Sequence, residues 1–198
     1  ITDDDPGAGG PKQKFRANMD AILLLKTLEQ ENRLATPEEQ ETLSRFVGWG
    51  GIPAAFDDKN EAWAAEYAQL KATLTPEEYR EARASTLNAF YTSPTVIKAM
   101  YEALGNMGLQ QGNVLEPSCG IGNFMGLVPE TMDGLRMYGV ELDSISGKIA
   151  RQLYQKNNIS VQGFETAAYP DSFFDCVIGN VPFGAYKVAD RRYDRHNF

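Results

Sequence analysis

The sequence predicts an α/β fold: a partial, Rossmann-like parallel sheet preceded by an N-terminal helical extension. Two observations carry that reading. From residue 113 onward, short apolar runs alternate with helical stretches, the pattern of strands joined by crossover helices. The first of these runs leads directly into a glycine-rich turn, Glu116-Pro117-Ser118-Cys119-Gly120-Ile121-Gly122, where a doubly wound sheet meets its ligand.

The front of the chain has a different character. Residues 1–14 are rich in Asp and Gly at the start and are expected to form a disordered tail. From Phe15 to Arg33, apolar residues recur at helical spacing through Ile22, Leu23, Leu25 and Leu28. Thr36-Pro37-Glu38-Glu39 and Thr75-Pro76-Glu77-Glu78 each read as a helix start: Thr as N-cap, Pro at the first helical position, acids near the positive end of the dipole. Between them lie the turn cluster Gly48-Trp49-Gly50-Gly51-Ile52-Pro53 and a helical segment from Trp63 to Leu70. Trp49 and Trp63 read as core of this extension. The division expected is therefore a tail over 1–14, a helical extension over 15–88 and a sheet-bearing core over 89–198.

Composition narrows the chemistry. The chain has 198 residues, two cysteines and one histidine, His196, so neither a disulfide framework nor a tetrahedral metal site is expected. No apolar run reaches the length of a membrane span, and the acidic start does not resemble a signal peptide, which makes the cytoplasm the default compartment. A formal net charge of −8 is unfavourable for gripping phosphates. The segment from Lys187 to Arg195 offsets it locally, with Lys187, Arg191, Arg192 and Arg195 against Asp190 and Asp194.

Strands are expected at Asn113–Leu115, Met137–Leu142, Ile159–Gln162 and Phe174–Ile178, with helices near Gly122–Leu127 and Ser144–Tyr154. In the turn after the first strand, Gly120 and Gly122 can take positive φ and let backbone N–H groups approach an anionic group, with Asn123 and Phe124 opening the helix. Tyr138-Gly139-Val140-Glu141-Leu142-Asp143 then places an acid at the end of the second strand, where ribose hydroxyls can be bound. This acid fits a nicotinamide site as well, but the turn lacks the three-glycine spacing that a pyrophosphate needs. The third strand ends near Gly163, Phe164 and Glu165, candidates for contact with a base, although Phe164 fits the core equally. The fourth delivers Gly179-Asn180-Val181-Pro182-Phe183-Gly184 to the carboxyl edge.

That last loop resembles the Asn/Asp-Pro-Pro-Tyr/Phe loop of amino-methyltransferases of the N6-adenine DNA type, and Ala89-Phe90-Tyr91-Thr92-Ser93-Pro94 resembles their additional cofactor motif. The resemblance spans about residues 85–184. Arg45-Phe46-Val47-Gly48-Trp49-Gly50-Gly51, Arg83-Ala84-Ser85-Thr86 and the loop from Gly179 to Gly184 are further similar to large methylase-helicase proteins of phages and conjugative elements, which carry a Swi/Snf-type helicase.

The resemblance implies an S-adenosylmethionine-dependent methyltransferase fold and site-specific methylation of adenine in DNA. The implied cofactor residues are Tyr91, Thr92, Glu116, Pro117, Cys119, Gly120, Gly122, Asn123, Phe124, Glu141, Leu142, Phe164 and Glu165. The implied catalytic residues are Asn180, Val181, Pro182 and Phe183, with Phe183 stacking on a flipped base. Val181 departs from the usual first Pro; its carbonyl survives as an acceptor, but φ is no longer fixed.

A complete sheet of this kind needs about three further strands, and a target-recognition segment is also expected elsewhere. DNA contacts are thus expected largely outside this chain, with a C-terminal helicase domain as the partner in a parent protein. Similar loops also methylate RNA amines or protein glutamine amides, and a non-catalytic module for DNA protection or scaffolding would fit Val181 and the negative charge.

Overall fold

The computed structural model of the protein describes residues 9–87 and 91–181. Its centre is a four-stranded, all-parallel sheet in the order β3-β2-β1-β4, built from β1 (Gln111–Glu116), β2 (Gly134–Glu141), β3 (Asn158–Val161) and β4 (Cys176–Val177). That order, with the chain reversing direction of travel at β1, defines a Rossmann-like α/β fold. Register pairs Glu116 with Gly139 and Glu141 with Val161, so three strands end at one carboxyl edge. The pairing extends one step past β4, where the Ile178 N–H donates to the Leu115 carbonyl at 2.9 Å.

The front of the chain is helical as expected: α1 (Pro11–Glu31), α2 (Pro37–Ser44), α3 (Ala64–Thr73), α4 (Pro76–Ser85) and α5 (Pro94–Asn106). The first of these begins at Pro11, so residues 11–14, assigned from sequence to the tail, are helical, and Gln13 reaches back to cap the Gly10 N–H. Thr36 and Thr75 form full capping boxes: each hydroxyl accepts from the backbone three residues on, and Glu39 and Glu78 accept from the cap N–H. After β1 come α6 (Asn123–Gly126), a single turn, and α7 (Ser144–Leu153).

Helix α1 buries Phe15, Asn18, Met19, Ile22, Leu25 and Leu28 along one stripe. Trp49 packs edge-on against Phe46 and Phe56, and Phe15 stands between Trp49 and Trp63, confirming both tryptophans as core. The same core takes in Ile145 and Ile149 of α7 and Ile121 of the glycine turn, so the helices of the extension pack directly on one face of the sheet-bearing part. Polar bonds reinforce this seam: Gln152 accepts from the Ala35 N–H, Gln40 donates to the Gln152 carbonyl, and Lys148 pairs with Glu29. A second core, around Ile97, Tyr101, Val114, Met137 and Ile178, joins α5 to the sheet.

Because Ile149 is fully buried where α7 meets the extension, Ile149→Ala should lower unfolding free energy by about 2–5 kcal/mol in urea titrations. A loss well under 1 kcal/mol, on the scale of an exposed substitution, would contradict the shared core.

Candidate functional site

The carboxyl edge gathers one chemically distinctive residue from each of β1 and β2 and the loop after β4. Glu116, the last residue of β1, is 2% exposed. Its Oε2 is buried and has no hydrogen-bond partner among the described residues. Burial first, and the negative charge of Glu141 second, push its pKa well above the ordinary carboxylate range. A buried carboxyl with a free oxygen is costly, and it is eased by a cationic or hydrogen-bonding group placed against it.

After Pro117 the chain crosses above β2, where the Cys119 N–H donates to the Val140 carbonyl at 3.0 Å. Gly120 and Gly122 then take φ of +55° and +86°, conformations that side chains disfavour. Space excludes a side chain as well. A methyl group on Gly120 would collide with the Tyr91 ring, and one on Gly122 would lie 2.6 Å from Tyr154 Cε2. Two tyrosines thus flank the turn, both half-buried. Burial raises the pKa of each; for Tyr91 a hydrogen bond with Ser146 opposes the rise, and for Tyr154 the charge of Glu116 adds to it.

Glu141 ends β2 with both carboxylate oxygens engaged. Oε2 accepts from the Gly120 N–H at 2.6 Å and Oε1 from the Asp143 N–H at 2.8 Å. Burial still dominates, and its pKa is pushed up to about 7 against the pull of those bonds. The Leu142 N–H acts on the same carboxylate, and because two oxygens offer about four acceptor sites, a hydroxyl donor can still be added. Asp143 in turn caps α7 by accepting from the Ser146 N–H at 2.7 Å, and Glu81 from α4 accepts from both the N–H and hydroxyl of Ser144.

Beyond β4, Gly179 runs alongside Glu116: a methyl group there would sit 3.5 Å from Glu116 Cγ and 3.6 Å from Pro117 Cδ. Asn180 and Val181 follow, both exposed at the same edge. Pro182 and Phe183 lie outside the described residues.

The remaining residues singled out from sequence fall into three groups. Cys119 and Phe124 have core side chains, which leaves only their backbone for a ligand; the Phe124 carbonyl already accepts from Tyr101. Asn123 is likewise buried, and Thr92 and Pro117 are half-buried. Leu142, 70% exposed, and Phe164, 51% exposed, stand at the ends of β2 and β3 with Glu165 beside Phe164, so Phe164 is not core. Clefts of about 190 Å³ between α1 and α2 and about 500 Å³ at the opposite, amino edge of the sheet do not include Glu116 or Glu141. Among the described residues no cluster of His, Cys, Asp or Glu could hold a metal, and no helix is long and apolar enough to cross a membrane.

Sequence reasoning did not single out Asn18, Tyr154 or Glu81. Asn18 carried a readable signal, since it lies on the apolar stripe of α1 between Phe15 and Ile22. Tyr154 and Glu81 act through tertiary contacts that no local pattern encodes.

A Rossmann-like sheet with a glycine turn, two carboxylates and an Asn-containing loop at its carboxyl edge defines an α/β module of the doubly wound class, whose ligands as a rule bind at that edge. No family model matches the chain. Over 180 residues, 90% of this chain, it is 29% identical to the defense against restriction protein B of Escherichia phage P1, covering 6% of that protein. It is 36% identical over 94 residues to the type II methyltransferase M.CvrRI of Paramecium bursaria Chlorella virus XZ-6E, spanning 48% of this chain and 24% of the relative. It is 26% identical over 124 residues to the modification methylase CviBIII of Paramecium bursaria Chlorella virus NC1A, spanning 62% of this chain and 32% of the relative. The chain therefore spans less than a third of the length of each curated relative it matches.

Glu116 has its folded-state pKa raised above the unfolded value near 4.5. The unfolded chain therefore ionises first as pH rises, and stability present below about pH 4.5 is lost toward the folded pKa. Relative to a Glu116→Gln variant, the wild type should become progressively less stable between mildly acidic and neutral pH, read from urea midpoints across pH. Parallel pH curves would show that Glu116 is not buried and unpaired.

Proposed function

We propose that this chain is the cofactor-binding and catalytic-loop module of an S-adenosylmethionine-dependent methyltransferase that acts on the exocyclic amine of adenine in DNA. The observation that carries the reading is the convergence at one sheet edge of buried, unpaired Glu116, the Gly120–Gly122 turn, Glu141 and the Gly179-Asn180-Val181 loop. The names of two relatives support methyl transfer, and that of the phage protein supports a setting in restriction and its evasion.

The residues fit the cofactor. The free oxygen of Glu116 is an acceptor suited to an ammonium group of the methionine moiety, and a cation there would relieve its raised pKa. The remaining acceptor capacity of Glu141 suits a ribose hydroxyl. Leu142 and Phe164 offer apolar surface for the adenine ring, with Glu165 at its rim. Tyr91 and Thr92 belong at the methionine end, by the turn that Tyr91 packs against. S-adenosylmethionine, when bound, supplies an electrophilic methyl group.

The chain's own residues would then position the acceptor. The lone pair of an adenine amine is delocalised into the ring, so the group needs polarising more than deprotonating. The Asn180 side-chain oxygen and the Val181 carbonyl would accept its two N–H bonds and turn the lone pair toward the methyl group, with Phe183 stacking on the extruded base. Pro182 would limit the loop to conformations that present both acceptors.

DNA contacts would come largely from other parts of a longer protein, a helicase domain among them, because a net charge of −8 opposes phosphate binding here. The cytoplasm, where unmodified DNA is encountered, is part of the same reading.

In the intact protein, Asn180→Ala should reduce tritium transfer from labelled S-adenosylmethionine to unmodified DNA by about 100-fold or more, the scale of a lost positioning contact, while cofactor binding holds. Equal activity would overturn the assignment of the loop. Transfer to RNA or protein in preference to DNA would overturn the substrate, and the absence of transfer to any acceptor would leave a binding module.

A further inference from the structure

The glycine turn is held not only by its own sheet but from the helical extension. Asn18 on α1 is fully buried, and its amide is used at both ends: Nδ2 donates to the Gly48 carbonyl at 2.6 Å, and Oδ1 accepts from the Val47 N–H at 2.9 Å. An aliphatic side chain could make neither bond, and the loss would leave the buried Gly48 carbonyl and the partly buried Val47 N–H without their partner. These two bonds fix the backbone where Gly48 takes φ of +71°.

Gly48 is the floor on which Tyr91 rests. A methyl group on Gly48 would lie 3.2 Å from Tyr91 Cε2, on the edge opposite Cε1, the atom that a methyl on Gly120 would strike. The Tyr91 ring is therefore wedged between two glycine backbones, one from the extension and one from the turn. Larger residues at either position would push the ring away. Gly120 passes the constraint on, because its N–H is held by Glu141. A continuous line of contact runs from Asn18 through Gly48, Tyr91 and Gly120 to Glu141.

We propose that Asn18 is a positioning residue for the cofactor turn: by fixing Gly48 it seats Tyr91 against Gly120 and so sets cofactor affinity without touching the cofactor. This rests on the reading of the carboxyl edge as the methyl-donor site. The helical extension is then a working part of that site rather than a scaffold beside it. The competing account is that Asn18 only stabilises the extension, as Leu28 does from the same core.

The two accounts separate in the intact protein. Hydrogen exchange by mass spectrometry is followed in peptides covering residues 117–124, and S-adenosylmethionine binding is measured by calorimetry, for wild type, Asn18→Ala, Gly48→Ala and Leu28→Ala. Asn18→Ala and Gly48→Ala should each speed exchange in the turn and weaken cofactor binding by about tenfold, the scale of one buried hydrogen bond. KM for the cofactor should rise with them while kcat at saturation holds. Leu28→Ala should lower the melting temperature without either local effect. The proposal is overturned if turn exchange is unchanged in a folded Asn18→Ala or Gly48→Ala protein, or if Leu28→Ala reproduces the effect. If Asn18→Ala does not fold, Gly48→Ala tests the same contact directly, where Gly48 meets the Tyr91 ring. A wild type that binds no S-adenosylmethionine overturns the reading of the site and the proposal with it, whereas bound cofactor with an unresponsive turn overturns the proposal alone.

Discussion

The carboxylate of Glu141, shared between the Gly120 N–H and the Asp143 N–H, is the interaction on which the rest of the site depends. It ties the turn after β1 to the end of β2, two segments that sheet hydrogen bonding alone would leave to diverge beyond the last paired residues. With both oxygens engaged, the turn must hold Gly120 in the left-handed region, and the chain beyond Glu141 must bend sharply into α7. Asp143 completes that bend as the α7 cap, and Ser144 meets Glu81 from the extension. One side chain thus sets the relative placement of a glycine turn, a helix start and the helices packed behind them.

The electrostatic consequence is an edge loaded with carboxyls that burial keeps from ionising freely. Glu116, Glu141 and Asp143 all have raised pKa values, each chiefly by desolvation. Asp143, like Glu116, keeps one buried oxygen without a hydrogen-bond partner among the described residues. An arrangement that destabilises the folded chain on its own is coherent if a ligand with cationic and hydroxyl donors completes it. The tyrosines on either side pack close against the glycine backbones and leave no room for a side chain at either position.

The sheet and its edge were legible from sequence because they are encoded locally. Alternating apolar runs marked all four strands, and an apolar run emptying into Glu116-Pro117-Ser118-Cys119-Gly120 marked the turn. Thr36 and Thr75 announced their helices through capping chemistry that needs only four consecutive residues. What was not legible depends on residues far apart in the chain. Nothing near Phe124 or Cys119 shows that their side chains enter the core, since motif position fixes the backbone and packing decides the rest. The start of α1 at Pro11 was hidden by an acidic, glycine-rich preface, although Pro at the first helical position is itself a start signal. Phe164 could be core or surface until the short β3 placed it beyond the last paired residue, half exposed.

A methyl donor seated at this carboxyl edge can be mapped by photo-crosslinking, which reads contact without altering a residue. The intact protein irradiated with methyl-labelled S-adenosylmethionine should incorporate label saturably, competed by S-adenosylhomocysteine, in peptides containing Tyr91, residues 116–124 or residues 141–143. Label confined to other peptides, or incorporation that neither saturates nor competes, would place the methyl donor elsewhere.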